Sequence, residues 1–448
     1  MEKRIALILA LVMVLSLAAC GGSGGKSGNE GGGEEEGSAV GAGVSADTAV
    51  GDKITMGKLD GEALTWTAAG KGVGTILLVS DKVLMRRAFT GEDNNSATWK
   101  DSEIRAYLNG EFLDSVFTEE EKALIAPTEL LTVAFDFDAY QNVNEYTTDS
   151  VFLLSGSEYA RYVTPIKDFK FGIPTQALLD DNVYMADVEG SDTVTQACGW
   201  ILRDNGSQEV YTVMDVYGFD GTVSTYGSDK TSKGGIRPAM WVYTDKALAD
   251  GWKAGTASLP ADEALDAKLA GLSVGSSVTF GTGVYADPNK GAMEIGWKVL
   301  DETEDAWLLY SDELLGAYRF GEEDDETLTW AASEARAYLN GDEYINDLFN
   351  PWEREKIRLS HITTCGGSDS WDVDPGPETD DYLFLLDREE MEKYYPNEAD
   401  RVIADAIYWL RSPDFVRGWF SCVNEAGTIR ENTAGHYYGL RVAMWVSK

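Results

Sequence analysis

The sequence predicts an α+β protein of two homologous domains, each with a mixed, mostly antiparallel sheet beside two helices. The first observation is a repeated string: Ser-Glu-x-Arg-Ala-Tyr-Leu-Asn-Gly follows Trp99 and, 231 residues later, follows Trp330. The second is a series of short apolar runs separated by turn-forming residues, which is typical of strands. The third is an i, i+3, i+4 spacing of apolar residues inside the repeated string, which indicates a helix.

The duplication extends well beyond that string. Five further blocks recur in the same order, namely ALTWTA with EIGWKV, ILLVSD with WLLYSD, DSVFLLSGSE with DYLFLLDREE, GWILR with IYWLR, and GGIRPAMWV with YGLRVAMWV. Ordered recurrence of this kind is the signature of a duplicated structural unit. We therefore predict a first copy at residues 50–244 and a second at 273–448, joined by an Ala- and Asp-rich linker at 245–272.

The local pattern predicts the elements of each copy. Ile104, Tyr107 and Leu108 lie on one face of a helix that Asn109-Gly110 is expected to end, because both residues tolerate a left-handed C-terminal turn. A second helix follows, with Thr118 as a cap before three glutamates of its first turn. The runs TILLVSD, VFLLS, GWILR and PAMWVY are predicted strands.

Residues 1–20 resemble a bacterial lipoprotein signal. Lys3 and Arg4 precede an apolar run over 5–17 that is too short to span a bilayer, and the segment ends Leu-Ala-Ala-Cys. The resemblance implies cleavage before Cys20 and a lipid on its sulfur. An ordinary secretory signal and an N-terminal membrane helix are the alternatives.

The next segment, residues 21–49, is rich in Gly, Ser and Glu and cannot form a core, so it is predicted to be a flexible tether. Together with a lipid on Cys20, it would hold the two domains at the extracellular face of a bacterial cell membrane.

The net charge and the scarcity of His and Cys disfavour several function classes. The net charge of −39, from 37 basic and 76 acidic residues, disfavours nucleic acid as a partner. The two histidines, His361 and His436, are far apart in sequence, which leaves little for a zinc site or a His-based triad. Of the cysteines after the signal, Cys198, Cys365 and Cys422, the last two could pair, or both could be buried thiols.

The ordered blocks resemble a family of bacterial surface-protein domains of unknown function, which occur singly or in tandem. Its pattern is Trp-x-x-Ser-x-x-Arg-x-Tyr-Leu-Asn, Phe-Leu-Leu, Trp-Leu-Arg and Gly-x-Arg-Pro-Ala-x-Trp, and the resemblance covers nearly all of both copies. The first copy has one extra residue between Trp200 and Arg203, and the second has Val442 in place of the proline. The last two blocks are also similar to the C-type-lectin-like fold of formylglycine-generating-type proteins. That similarity implies a variable face built from the connecting loops.

Residues that recur in both copies are the first candidates for function, but a structural role is the favoured interpretation. Each arginine is expected to pair with a carboxylate or buried carbonyls, and each tryptophan to fill the core. This set comprises Trp99, Arg105, Tyr107, Arg203, Arg237, Trp330, Arg336, Tyr338, Arg411 and Arg441.

Residues that differ between the copies are the candidates for ligand binding. They lie between the last two blocks, and their rings, amides and charges suit either sugars or a peptide surface; the alternative is that the rings fold back on the core. The set comprises Arg417, Trp419, Asn432, His436, Tyr437 and Tyr438 in the second copy, and Tyr217, Phe219 and Tyr226 in the first.

Metal and catalytic signals are weak. Acidic clusters near Asp324 and from Asp369 offer oxygen ligands for Ca²⁺, but neither has the spacing of a known calcium loop, and solvated loops are favoured. No catalytic motif is present, so no catalytic residue is assigned. The leading hypothesis is a surface lipoprotein that binds a glycan or a protein through its tandem domains. A structural role in the cell envelope is the alternative, and a carboxylate-based hydrolase is third.

Overall fold

The computed structural model describes residues 43–136, 141–206, 211–284, 289, 291–322, 325–366, 374–403 and 406–448. The predicted signal, the predicted lipid site at Cys20 and residues 21–42 of the predicted tether lie outside this range. The described chain forms two compact units. The first unit contains the described residues up to 258 and those between 284 and 292, and the second contains 259–283 and those from 293 onward. Val44 packs against the first core and Thr48 is buried, so the packed chain begins before residue 50.

The first unit is an α+β fold of short elements. Its strands are β1 (Lys53–Leu59), β2 (Glu62–Gly72), β3 (Thr75–Ser80), β4 (Met85–Ala88), β5 (Ile125–Ala126), β6 (Thr128–Asp136), β7 (Gln141–Asp149), β8 (Ala186–Asp187), β9 (Gln196–Ala197), β10 (Trp200–Asn205), β11 (Thr212–Val216), β12 (Val223–Asp229), β13 (Lys233–Ile236) and β14 (Ala239–Tyr243). Its helices are α1 (Glu103–Tyr107), α2 (Leu113–Val116), α3 (Glu119–Lys122), α4 (Gly156–Glu158), α5 (Gln176–Asp180) and α6 (Lys246–Lys253), with π-helical turns at Leu108–Phe112 and Tyr159–Val163.

The second unit repeats this order with its own insertions. Its strands are β15 (Ser277–Val284), β16 (Ala292–Glu302), β17 (Ala306–Ser311), β18 (Ala317–Arg319), β19 (Ser360–Ile362), β20 (Thr379–Asp381), β21 (Phe384–Leu385), β22 (Tyr408–Pro413), β23 (Trp419–Val423), β24 (Ile429–Thr433), β25 (Tyr437–Gly439) and β26 (Val442–Ser447). Its helices are α7 (Glu263–Ala270), α8 (Glu334–Leu339), α9 (Asp342–Leu348), α10 (Pro351–Lys356), α11 (Arg388–Tyr394) and α12 (Glu398–Arg401).

The first four strands of the larger sheet have the same order in both units, but the fifth strands are not equivalent: β21 corresponds to the Phe152–Ala239 bridge of the first unit, and β5 corresponds to the Ile357–Val446 bridge of the second. The strand order is β1-β2-β3-β14-β5 in the first unit and β15-β16-β17-β26-β21 in the second. The last strand of each copy therefore pairs with the third, with Trp241 opposite Leu77 and Trp445 opposite Leu308. Because the end of each repeat is hydrogen-bonded beside its beginning, each copy closes its own core.

The smaller sheet also recurs. In the second unit it has five strands in the order β18-β25-β22-β23-β24, with a parallel pairing of Tyr408 and Gly439. In the first unit the corresponding strands form two pieces, β4-β13 and β10-β11-β12. Most other pairings are antiparallel, so both units have the mixed, mostly antiparallel α+β fold that the sequence predicts.

A tight crossing between the first strand and the helical layer is common to both units. Gly57 and Gly281 have φ of +75° and +80°, and a Cβ would lie 2.8 Å from Val116 and 2.7 Å from the ring of Phe349. Only glycine meets both demands without strain. The glycine N–H donates to Glu121 in one unit and to Glu353 in the other, each at 2.8 Å. Each glutamate also closes a capping box, so one side chain joins the helix start to the sheet.

The helical layer confirms one local prediction and corrects another. Thr118 caps α3 as expected, with Glu121 completing the box. The helix does not end at Asn109-Gly110, because the backbone continues through the π-helical turn Leu108–Phe112 into α2. Asn109 instead binds a neighbouring segment: its side chain donates to the Val151 carbonyl at 2.9 Å and accepts from the Ser150 N–H at 2.7 Å.

Candidate functional site

One buried carboxylate organises the repeated Trp and Arg residues of the first unit. Asp149 accepts hydrogen bonds from Trp99 Nε1 at 2.9 Å, Arg105 Nε at 2.7 Å and Thr147 Oγ1 at 2.7 Å. The Asp149 side chain is fully buried, whereas that of Arg105 is about a quarter exposed. The three donors satisfy a charge that would otherwise be costly to bury.

The second unit contains the same carboxylate network. Asp381 accepts from Trp330 Nε1 at 2.9 Å, Arg336 Nε at 2.6 Å and Thr379 Oγ1 at 2.7 Å. Both tryptophans are almost entirely buried. These contacts account for the repeated string as scaffold chemistry within each unit.

A second pair of repeated arginines is also buried against carboxylates. Arg203 donates to Glu158 through both terminal nitrogens and to the Leu153 carbonyl at 2.9 Å. Arg411 contacts two carboxylates, Asp387 at 3.1 Å and Glu390 at 2.5 Å.

The third pair lies between aromatic rings without a carboxylate within ion-pair distance among the described residues. Arg237 Nε donates to the Ser80 carbonyl at 2.9 Å, and its Cζ lies 4.1 Å from the ring centre of Phe169. Arg441 Nε donates to the Ser311 carbonyl at 3.0 Å, and its Cζ lies 4.4 Å from the ring centre of Tyr310. Contacts of this kind combine packing with cation–π attraction.

The repeated tyrosines occupy matching positions with different partners. Tyr107 is half-buried beneath Arg87, whose Cζ lies 3.4 Å from the ring centre. Tyr338 stacks on Tyr318 at 4.5 Å and also contacts Tyr344. Because Tyr318 stands where the first copy has Arg87, the copies diverge at this surface.

The candidates of the second copy are only partly brought together. Tyr438 contacts His436 at a ring distance of 5.3 Å, packs on Trp409 at 4.7 Å and accepts a hydrogen bond from Asn432. Tyr437 is 67% exposed and lies 6.1 Å from Tyr318.

Arg417 and Trp419 are not part of that cluster. The Arg417 side chain is exposed and lies 4.0 Å from Glu326, and Trp419 is half-buried at the start of β23. The six candidates of the second copy therefore do not form a single site.

The candidates of the first copy do form part of a cavity. Tyr217 and Phe219 stack at 5.2 Å with an angle of 21° between their rings, and both are about 40% exposed. They line an open cavity of about 560 Å³, a size within the range of ligand pockets. Tyr226, 64% exposed, does not line it. We call this cavity the aromatic pocket; its lining residues are Tyr184, Ala186, Asp187, Gly199, Asp215, Val216, Tyr217, Gly218 and Phe219.

A hydrogen-bonded turn holds the stacked pair. After β11, the Tyr217 N–H donates to the Thr222 carbonyl at 2.8 Å, and Asp220 accepts from both the N–H and the hydroxyl of Thr222. The Phe219 carbonyl accepts from the Glu189 N–H at 2.7 Å, which ties the turn to the segment that carries Tyr184. The rings are therefore presented by a preformed surface.

The corresponding turn of the second copy has no such rings. Val216 pairs with Trp200, and Val423 pairs with Tyr408, so the two turns that follow start at equivalent positions. The second turn is Asn-Glu-Ala-Gly-Thr, closed by the Asn424 N–H donating to the Thr428 carbonyl at 3.0 Å. The aromatic pair thus belongs to the first copy alone.

Two carboxylates and a third ring complete the pocket, and none of the three is among the candidates predicted from the sequence. Tyr184 is 81% exposed, Asp187 accepts from Gln196 at 3.1 Å, and Asp215 lies on β11. An acid inside the apolar run Thr-Val-Met-Asp-Val is a signal that could have identified Asp215, because burying a charge is costly. Tyr184 and Asp187 lie in a segment outside the repeated blocks, where comparison of the copies gives no signal.

Burial raises the pKa of Asp215 to about 6, and a hydrogen bond with Ser228 partly opposes this effect. The folded protein therefore binds this proton more tightly than the unfolded chain does, in which an Asp has a pKa of about 3.9. Asp215 thus destabilises the fold above pH 6, and this penalty disappears as the pH falls towards 4.

We expect Asp215→Asn to stabilise the protein at pH 7.5 by about 1 kcal/mol, a value reduced for partial solvent screening, and to bring no gain near pH 4. Urea unfolding of the variant and the natural protein at the two pH values measures this difference. An equal effect at both pH values would show that burial of the Asp215 charge is not the cause.

Within the described ranges, no group of three or more His, Cys, Asp or Glu residues is placed to hold a metal ion. Asp324 and Asp369, named in the calcium hypothesis, lie outside those ranges. Cys198, Cys365 and Cys422 are free thiols. None of the described helices has the length and apolar character needed to cross a membrane.

The fold defines a class of protein: a tandem of two homologous α+β domains. A domain of unknown function (DUF6273) matches residues 73–244 and 304–448, which together exceed half of the chain. The chain therefore belongs to the DUF6273 family, in agreement with the resemblance to a tandem family of unknown function. No match was found among curated proteins or among solved structures.

Proposed function

We propose that this protein is a lipid-anchored bacterial surface protein that binds a glycan in the aromatic pocket of its first domain. The observation that carries the proposal is the combination, in one open cavity, of the Tyr217–Phe219 stack, Tyr184 and two carboxylates. The lipid anchor on Cys20 and the extracellular location rest on the N-terminal sequence alone, and the lectin-like comparison rests on the last two blocks of each repeat.

The chemistry of the pocket suits a sugar. One face of a pyranose ring consists of C–H groups, and an exposed aromatic ring loses unfavourable contact with water when such a face covers it. Sugar hydroxyls are donors, and an ionised carboxylate only accepts, so Asp187 and Asp215 can fix the orientation of the ring. Because the turn that holds the stack is preformed, little ordering entropy is lost on binding.

A glycan array probed with the full chain tests the proposal. We expect a defined set of glycans to bind, with neutral pyranose units as their common feature. An empty array would contradict glycan binding. A blank array combined with capture of one envelope protein would instead support the structural alternative, in which exposed aromatics such as Tyr437 contact a partner.

Glycoside hydrolysis is a second candidate activity, because Asp187 and Asp215 line the same cavity and burial raises the pKa of Asp215 to about 6. Glycosidases use a carboxyl group with a raised pKa as the general acid beside a second carboxylate. Release of new reducing ends from an array-selected glycan would establish hydrolysis. If the glycan stays intact, the pocket binds it without cleaving it.

A further inference from the structure

A second cavity of the first unit has the opposite charge to the protein as a whole. Its volume is about 360 Å³, and it shares no lining residue with the aromatic pocket. Four cationic and two acidic side chains line it, although the chain carries a net charge of −39. These six are Lys53, Lys82, Lys167, Arg237, Asp81 and Asp168.

Both carboxylates of this cavity are already engaged. Asp81 accepts hydrogen bonds from Lys53 and from the Thr67 hydroxyl, the latter at 3.0 Å. Asp168 accepts from the Thr193 hydroxyl at 2.6 Å. Lys82 and Lys167, in contrast, are exposed and make no side-chain hydrogen bond or close ion pair with any residue that the structure describes. Two ammonium groups are therefore available at the mouth of the cavity.

Arg237 adds a fixed cation at the inner wall. Its side chain is fully buried, Nε and Nη1 donate to the carbonyls of Ser80 and Phe169, and Nη2 has no hydrogen-bond partner among the described residues. A buried donor without a partner is uncommon in folded proteins and calls for a group that would satisfy it. In the second unit, the equivalent Arg441 is 3.5 Å from the Tyr408 hydroxyl.

The lysines also distinguish this cavity from its counterpart. At the positions of Lys53 and Lys82 the second copy has Ser277 and Glu313, although it has Lys298 where the first copy has Thr67. The cationic mouth is therefore a property of the first copy and is not required by the shared scaffold.

We propose that this cavity binds an oxyanion, namely the carboxylate, sulfate or phosphate group of a ligand. Lys82 and Lys167 contact the oxyanion directly. The positive charges of Lys53 and of the buried Arg237 side chain add electrostatic attraction. The cavity walls exclude part of the solvent, so these charges are screened less than on an open surface. The site is independent of the aromatic pocket and stands whether or not that pocket binds a glycan.

Calorimetric titration of the full chain with sulfate, phosphate and glucuronate tests the proposal, at an ionic strength held constant with sodium chloride. Glucose serves as the neutral control for glucuronate. We expect saturable binding of at least one oxyanion with a Kd of about 1 mM, and no binding of glucose. The three probes separate inorganic sulfate or phosphate from the carboxylate of an acidic sugar.

Two variants with the same change in net charge make the test specific. Lys82→Glu/Lys167→Glu should raise the Kd for the oxyanion at least about tenfold without a change in melting temperature. Two positive charges at the mouth of the cavity become negative and repel the oxyanion. Lys58→Glu/Lys100→Glu, at exposed lysines of the same unit that do not line the cavity, should change the Kd by less than about twofold. Failure of all three oxyanions to bind at about 10 mM would overturn the proposal. Equal weakening by both variants would also overturn it, because the effect would then reflect net charge.

Discussion

Asp149→Ala should lower the free energy of unfolding of the first unit by about 3 kcal/mol, because removing one partner of a buried ion pair leaves the remaining buried polar groups without a hydrogen-bond acceptor. Trp99 Nε1 and the Thr147 hydroxyl would lose their acceptor, and Arg105 would lose its carboxylate. Arg105 also donates to the Lys100 carbonyl at 3.0 Å, which limits the loss. Urea unfolding monitored by tryptophan fluorescence measures the change.

The second unit supplies an internal replicate of this experiment. Asp381→Ala removes the acceptor of Trp330, Arg336 and Thr379, so its cost should agree with that of Asp149→Ala within about 1 kcal/mol. Asp192→Ala, at an exposed position, should cost less than about 0.5 kcal/mol. A loss below about 1 kcal/mol for either buried aspartate would contradict a scaffold role for the repeated string.

Glu158→Ala should destabilise the first unit by about 4 kcal/mol, more than the equivalent Glu390→Ala destabilises the second. Both glutamates close a capping box and bind a buried arginine. Among the described residues, Arg203 has an ion pair with Glu158 alone, whereas Arg411 keeps Asp387 after Glu390 is removed. The cost of Glu390→Ala should therefore be about 2 kcal/mol, and calorimetric melting of both variants checks the order. Equal costs would show that the second carboxylate of Arg411 does not compensate.

The duplication can be predicted from the sequence because the repeated blocks contain residues that pack in the same way in both units. The strands Thr75–Ser80 and Ala306–Ser311 have the pattern of buried strands, and the cap at Thr118 follows from a local signature. These features depend on a few neighbouring residues. In contrast, the need for glycine with a left-handed backbone at positions 57 and 281 arises because the first strand packs closely against the rings of Phe117 and Phe349.

The helix end that the sequence predicts at Asn109-Gly110 is absent from the first unit but occurs in the second, where α8 ends at Leu339 with Asn340 as its C-cap. Asparagine and glycine together favour a C-terminal cap. In both units the Asn side chain also satisfies backbone groups of a neighbouring segment: Asn109 binds Ser150 and Val151, and Asn340 binds Tyr382 and Leu383. The residue is thus explained by its partner segment, which the string itself does not reveal.

The candidate site was predictable only in part for a related reason. Tyr217 and Phe219 can be identified from the sequence because they lie between two matched blocks, in an interval where the copies differ. Tyr184 and Asp187 come from β8 and the residues before it, and only the folded chain brings them to the turn after β11. Tyr226 is close in sequence to that turn but lies outside the pocket, so proximity along the chain was a misleading guide.

We propose that the scaffold shared by both copies determines the stability of the fold, whereas the diverged turn of the first copy determines ligand binding. Titration of an array-selected glycan into two double variants tests this proposal most directly. Tyr217→Ala/Phe219→Ala removes the stacked pair, and Tyr226→Ala/Tyr437→Ala removes two exposed rings that do not line the pocket. We predict that the first variant loses at least about tenfold in affinity without a change in melting, and that the second binds within about twofold of the natural protein. Unchanged affinity in the first variant, or lost affinity in the second, would contradict glycan binding in the aromatic pocket.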